Sequence, residues 1–299
     1  MKTREKRKNL WQGNGGFLYV LPSLLLITLF YLIPLVMTGY FSFTDYSVLK
    51  PPTWTGLENF KKMLGDPFFR PAIRNTIIYT FLTVPLQTLL SLWIAHAIAS
   101  RFRGRFGRFL KSSLFVPVIS SMVLVGTVWK FMLATRGGII NNVLEWFGME
   151  GLNWLGESNL ALVSVCMVAV WKNVGYFLVI YYAGIMDIPV SLFEAAEVDG
   201  ATGWQKLRYI TIPYLKPITY LVITLGTIWS FQVFDLVYTM TGGGPGTATV
   251  TMVMSIYQSG FKQYQMGYAS ALSLVLFVLV VLVSGVQKKL FGREEGSAK

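Results

Sequence analysis

Long uncharged apolar stretches alternate with short charged ones along this chain. Between Lys8 and Asp45 lie 36 residues without a charge, between Arg74 and Arg101 lie 26, and between Lys262 and Lys288 lie 25. A helix needs roughly 20 apolar residues to cross a bilayer. Six segments pass that length test: 17–43, 72–99, 110–134, 160–186, 217–240 and 268–287. The pattern predicts an all-α integral membrane protein. A six-helix domain over 17–287 would be flanked by tails at 1–16 and 288–299. The first segment is not read as a cleaved signal peptide, because its apolar core runs well past ~15 residues and no small-residue cleavage site follows. Pro22, Pro34, Pro85 and Pro117 fall inside spans, where proline is tolerated better than in soluble helices.

Composition agrees. Apolar residues make up 54% of the 299, charged residues 13%, and mean hydropathy is +0.53. That leaves too few polar side chains to cover a soluble fold, which excludes a soluble enzyme and a disordered chain. A net charge of +12 raises nucleic acid as a partner. The basic residues instead collect at the ends of apolar segments, so nucleic acid is rejected. Their placement sets orientation. Seventeen of the 26 lysines and arginines fall in the N-terminal tail, the loops after spans two and four, and the C-terminal tail, against six in the opposite loops. Both termini are expected in the cytoplasm. One cysteine, Cys166, and one histidine, His96, exclude an internal disulfide and a cysteine or histidine metal cluster.

The third cytoplasmic segment, 187–216, differs from the others in being long and mixed in charge, with Asp187, Glu194, Glu197 and Asp199 set against Lys206, Arg208 and Lys216. Ser191 is expected to cap a short helix with Glu194 as its third residue, the capping-box arrangement. Asp199-Gly200 is a turn signal that ends it. A second short helix is expected over 202–209, ahead of Ile212-Pro213. Two short helices joined at a glycine make a compact knob suited to a groove on a partner.

The order of residues here, Glu194-Ala195-Ala196, then Asp199-Gly200-Ala201, then Ile212-Pro213, closely resembles the "EAA" loop of ABC-importer permeases. Residues 54–60 (Trp-Thr-Gly-Leu-Glu-Asn-Phe) and 239–249 (Thr-Met-Thr-Gly-Gly-Gly-Pro-Gly-Thr-Ala-Thr) resemble outward segments of carbohydrate-uptake permeases of the maltose and glycerol-phosphate type. The likeness spans nearly the whole chain. It departs in the short first outward loop, 44–71, since the large outward domain and two extra N-terminal spans of the maltose permease's equivalent subunit are absent. The compact six-span form is common in the family.

The resemblance implies a type I importer permease bundle in the cell inner membrane. Its implied partners are a second homologous permease, a dimer of ATP-binding subunits and an extracytoplasmic solute-binding protein. Glu194, Ala195, Ala196, Asp199, Gly200, Ala201 and Pro213 would form the seat for the ATPase, with Glu194 as an ion-pair partner for a basic residue of that subunit. No Gly-x-x-x-x-Gly-Lys-Ser/Thr run occurs, so ATP and magnesium would be bound by the partner and this chain would hold no cofactor or metal.

A carbohydrate path should mix aromatic rings for stacking with amides and carboxylates for hydrogen bonds, and polar groups within spans are functional candidates. Two clusters qualify: Trp171, Lys172, Asn173 and Tyr176 in span four, and Trp229, Gln232, Phe234, Asp235 and Tyr238 in span five. Asn173 with Tyr176, and Gln232 with Asp235, are three apart and so are expected to share a helix face. For the aromatics, interhelical packing and solute contact both stay open; Asn173 and Gln232 are read toward a cavity. Lys172 lies ~18 Å deep at 1.5 Å per residue, too deep to snorkel. It would face a wet cavity or the partner, or pair weakly with Asp235. The expected function is one membrane subunit of an ATP-driven sugar importer. The alternatives are the same machine carrying a polyol, glycerol phosphate or another polar metabolite, or an ion-coupled secondary transporter. The last is disfavoured because Asp235 is the lone carboxylate within a span.

Overall fold

The computed structural model describes residues 19–102 and 104–291, most of them helical. The expected 1–16 tail, Arg103 and residues 292–299 lie outside the described residues. The chain divides into two compact units, one holding residues up to Met63 together with Ser259–Leu274, the other Leu64–Gln258 together with Val275 onward.

In the first unit, α1 (Tyr19–Phe41) is uncharged throughout and none of its side chains is buried. Its helix loosens into a π turn over Thr28–Leu32, directly ahead of Pro34, whose ring has no N–H to continue the ladder. A two-stranded hairpin follows, β1 (Thr44–Ser47) and β2 (Lys50–Trp54), with Thr44 opposite Trp54. Aromatic stacks hold it: Phe43 on Trp54 at 5.6 Å and Phe41 on Tyr46 at 4.5 Å. Asn59, near the start of α2 (Glu58–Gly65), donates through Nδ2 to the Ser42 and Thr44 carbonyls, both at 2.9 Å. The 54–60 segment is therefore a clasp between helix α1 and the hairpin.

In the second unit, the elements are α3 (Phe69–Arg101), α4 (Arg105–Ile119), α5 (Met122–Met132), α6 (Ile139–Trp146), α7 (Ser158–Met186), α8 (Val190–Val198), α9 (203–214, with a π turn over Leu207–Thr211), α10 (Lys216–Phe231), α11 (Asp235–Met240), α12 (Met252–Tyr257) and the body of α13 (Met266–Phe291). Helix α7 is the core of this unit. One apolar cluster joins its Val165, Val168 and Ala169 to Tyr79 of α3, Val125 of α5 and Leu236, Val237 and Met240 of α11. Another joins its Phe177, Leu178 and Tyr181 to Ala95 and Ile98 of α3 and Leu215 and Val222 about α10. Lipid offers no hydrophobic drive between helices, so small and hydroxyl residues knit them. Thr83 Oγ1 of α3 meets Ser230 Oγ of α10 at 3.1 Å, and Ser91 Oγ donates to the Val174 carbonyl at 3.1 Å.

Among the described residues, four helices are long and apolar enough to cross a membrane, or five when α4 and α5 count as one span. Helices α3, α7 and α13 cover the second, fourth and sixth expected segments, and α1 covers 19–41 of the first, 17–43, whose residues 17–18 lie outside the described residues. The other two segments depart from single helices. Expected span 110–134 is broken at Ser120-Ser121, where α4 and α5 meet at 99°. Pro117 has already removed one ladder N–H, and both serines adopt extended ψ near 140°. Expected span 217–240 breaks after the 16-residue α10, with Gln232 at φ −97°, ψ 9° and Phe234 at φ −139°, ψ −60° before α11 begins. Hydropathy averages over such breaks and cannot see them.

Candidate functional site

The segment after α7 folds into two short helices, α8 and α9, at an angle set by Gly200. Its φ of +71° lies in the left-handed region that glycine enters without cost. The Ala201 N–H returns to the Ala196 carbonyl at 2.8 Å and the Gly200 N–H to that of Glu197 at 3.0 Å, closing α8. The expected capping box at Ser191 is not formed. Helix α8 starts at Val190 with Pro189 in the cap position, so Ser191 lies within its first turn. The box occurs one helix later: Thr202 Oγ1 accepts from the Gln205 N–H at 3.3 Å and Gln205 Oε1 from the Thr202 N–H at 2.6 Å. Thr202-x-x-Gln205 carries the same sequence signature and was the better candidate.

Across the turn, Lys206 Nζ donates to Glu197 Oε1 at 2.6 Å, pinning α9 against α8. That hydrogen bond and the lysine's charge hold the Glu197 carboxyl below the usual glutamate range. Between the two helices is an open hollow of about 210 Å³ lined by Ala196, Asp199, Gly200, Ala201, Lys206 and Tyr209 among others. Glu194 and Ala195 stand exposed on α8, and Pro213 is exposed in the last turn of α9. Large apolar side chains around the knob are bare: Val198 is 89% exposed, Trp204 69% and Tyr209 74%. Exposed apolar side chains grouped in this way make the knob a candidate interaction surface.

The residues expected along a solute path separate into two groups. Tyr176 of α7 and Trp229 of α10 come together at 5.0 Å between ring centroids, with Phe177 at 5.5 Å from Trp229. Half-buried Asn173 lies one turn from Tyr176 on α7. Phe234 stacks on Tyr238 at 5.3 Å, and both rings meet Tyr257 of α12, at 4.9 and 5.5 Å. Tyr257 lies outside every expected span and was not among the candidates. Gln232 and Asp235 do not share a helix face, because the chain leaves the helix between them. Both are exposed, and among the described residues neither side chain has a hydrogen-bond partner. Asp235 opens α11, where its charge complements the helix N-terminus. Lys172 is buried and donates to the Val118 carbonyl at 3.2 Å rather than to Asp235.

The glycine-rich 239–249 segment is a turn tied to α3. Asn75 Nδ2 donates to the carbonyls of Thr247 at 2.8 Å and Val250 at 3.0 Å, and Thr241 and Thr249 share a 2.7 Å hydroxyl bond. In the 134–157 segment Asn141 plays the same part, accepting from the Leu152 N–H and from Trp154 Nε1.

Residues 64–294 match the family model of the binding-protein-dependent transport system inner membrane component. The chain is 35% identical to the sulfoquinovosyl glycerol transport system permease protein SmoG of Agrobacterium fabrum, over 90% of this chain and 87% of that one. It is 32% identical to the trehalose/maltose transport system permease protein MalF of Thermococcus litoralis, over 89% and 90%. It is 31% identical to the lactose transport system permease protein LacF of Rhizobium radiobacter, over 95% and 96%. In fold it matches a chain of a bacterial ABC transporter that imports the acidic polysaccharide alginate, with a TM-score of 0.84 at 22% identity over 96% of this chain and 99% of that one.

Proposed function

The chain belongs to the family of binding-protein-dependent transport system inner membrane components, and we propose that it is the sugar-carrying membrane subunit of an ATP-driven importer. The α8–α9 knob carries the reading: a rigid, glycine-hinged pair of helices with an exposed glutamate, an open hollow and a bare apolar rim. ATP would be bound and hydrolysed, with magnesium, by a separate ATPase dimer seated on Glu194, Ala195, Ala196, Asp199, Gly200, Ala201 and Pro213. A second permease would complete the pore, and an extracytoplasmic binding protein would deliver the solute. The chain would cross the cell inner membrane six times, counting α4–α5 and α10–α11 as broken spans, with both termini in the cytoplasm.

Relatives named for lactose, trehalose or maltose and a sulfoquinovosyl glycoside favour a sugar over other polar metabolites. The solute would pass along Asn173, Tyr176 and Trp229, and then Gln232, Phe234 and Asp235. The two aromatic groups offer stacking faces, and the unpartnered amide and carboxylate offer hydrogen bonds.

Affinity purification of the tagged chain from gently solubilised native membranes, with mass spectrometry of its companions, tests the assembly. A Walker-type ATPase and a second permease are expected. Recovery of the chain alone, in a detergent that preserves such complexes, would overturn the reading.

A further inference from the structure

Among the described residues Lys172 is the one charged side chain in the buried class, with 7% of its surface exposed. An ammonium buried at mid-span needs a partner, and the partner it has is informative. In an unbroken helix the Val118 carbonyl would accept from the N–H of Met122, four residues on. Here the chain leaves the helix at Ser120 (ψ 143°) and Ser121 (ψ 140°), and Met122 begins α5 at 99° to α4. Val118 thus holds one of the last carbonyls of α4, which has no intrahelical donor, at a depth where water is scarce. Lys172 Nζ fills that vacancy at 3.2 Å, and a cation at a helix C-terminus is favoured by the aligned peptide dipoles as well.

The neighbours of Lys172 act on the same bend. Trp171 packs edge-to-face on Trp129 of α5, 5.4 Å between centroids. Adjacent residues of α7 therefore grip one limb each, Lys172 the end of α4 and Trp171 the body of α5. One turn along, Gly175 lets the α4 backbone come so close that a Cβ there would collide with the Leu114 carbonyl. The α7 side of the grip is itself fixed, because Ser91 of α3 bonds the Val174 carbonyl.

We propose that Lys172 and Trp171 form a clamp that sets the angle of the broken third span, and that Lys172 is a positioning residue for transport that does not touch the solute. The transport part of this rests on the importer reading; the clamp itself does not.

The test is run on the assembled transporter in nanodiscs, in a Cys166→Ala background, with spin labels at Ser113→Cys on α4 and Val128→Cys on α5, both exposed positions. A single narrow distance distribution is expected with Lys172 present. Lys172→Met, which keeps length and removes the donor, should broaden or shift it, and Lys172→Arg should restore it. In uptake assays with the sugar that the co-purified binding protein holds, Lys172→Met should lower turnover at least tenfold with KM within about twofold, and Lys172→Arg should recover most of the rate. If Lys172→Met does not assemble, Trp171→Leu loosens the other limb and should broaden the same distribution. An unchanged distribution in the variant that assembles would overturn the clamp. A raised KM with normal turnover would make Lys172 a solute contact instead. Absence of uptake in the unsubstituted complex would count against the importer reading and leave the distance result to decide the clamp.

Discussion

At Gly200 a single dihedral fixes the geometry of the knob. A φ of +71° costs an L-residue roughly 1–2 kcal/mol, and more for a β-branched one, whose side chain rarely adopts it. Nothing lies within 4 Å of a Cβ placed there, so the penalty is conformational and not a clash. Gly200→Val should therefore insert and fold in the membrane but recover at least tenfold less ATPase on co-purification, whereas Gly200→Asn, which tolerates the left-handed region, should keep most of it. Full ATPase recovery with valine would remove Gly200 from the docking role. This residue was legible in the sequence because Asp-Gly after a short apolar helix is a turn signal with a mechanism. The asparagines were not. Asn59, Asn75 and Asn141 each bind two or more backbone groups, 11 to 175 residues away, and no local pattern marks an amide that will meet backbone at such separations. Tyr257 escaped for a related reason: it stacks on Phe234 and Tyr238 only because the chain turns back between 241 and 251.

Among the elements, length and hydropathy located four spans closely, because an apolar run of over 20 residues has few alternatives to a helix. The breaks at 120–121 and 232–234 depend on individual backbone angles instead. Pro117 followed by two serines is the one local hint, since serine hydroxyls compete for helix carbonyls, as Ser120 Oγ does with Val116. The knob shows what holds two short helices together. Its junction rests on the Gly200 turn, the Thr202–Gln205 box and the exposed Glu197–Lys206 pair. The folded Glu197 value lies below the unfolded one, so the pair stabilises the folded knob above the ordinary glutamate pKa of ~4.3 and loses that effect as pH falls through the lowered value. Amide exchange over 197–206, corrected for intrinsic rates, should be faster in Glu197→Gln than in the parent at pH 7. The difference should shrink and then vanish as pH falls through the lowered Glu197 value, where the parent carboxyl becomes neutral as well. A difference that persists in acid would mean that the charge is not what closes the junction.

For the whole molecule the broken spans set the parity of the crossings. If α4–α5 crosses the bilayer once, three crossings precede α7, and the knob after it shares a side with the N-terminus. If that pair is re-entrant instead, the knob falls on the side opposite the N-terminus. The same logic applies to α10–α11, whose failure to cross would place the end of α13 opposite the knob. The charge bias of 17 basic residues to six predicts the arrangement in which both broken pairs cross. Single cysteines read this directly in the Cys166→Ala background. Leu49→Cys at the hairpin tip, Trp204→Cys on the knob and Leu290→Cys at the end of α13 replace side chains that are 86%, 69% and 72% exposed. In intact cells a membrane-impermeant maleimide should label position 49 alone, and positions 204 and 290 only after permeabilisation. Because the knob is the proposed docking surface, position 204 is read in cells expressing the chain without other subunits. Labelling of 204 from outside would make α4–α5 re-entrant and put the knob beyond reach of any cytoplasmic ATPase. Labelling of 49 and 290, but not 204, from outside would make α10–α11 the re-entrant pair, leaving the proposed docking surface in place while reducing the bundle to five crossings.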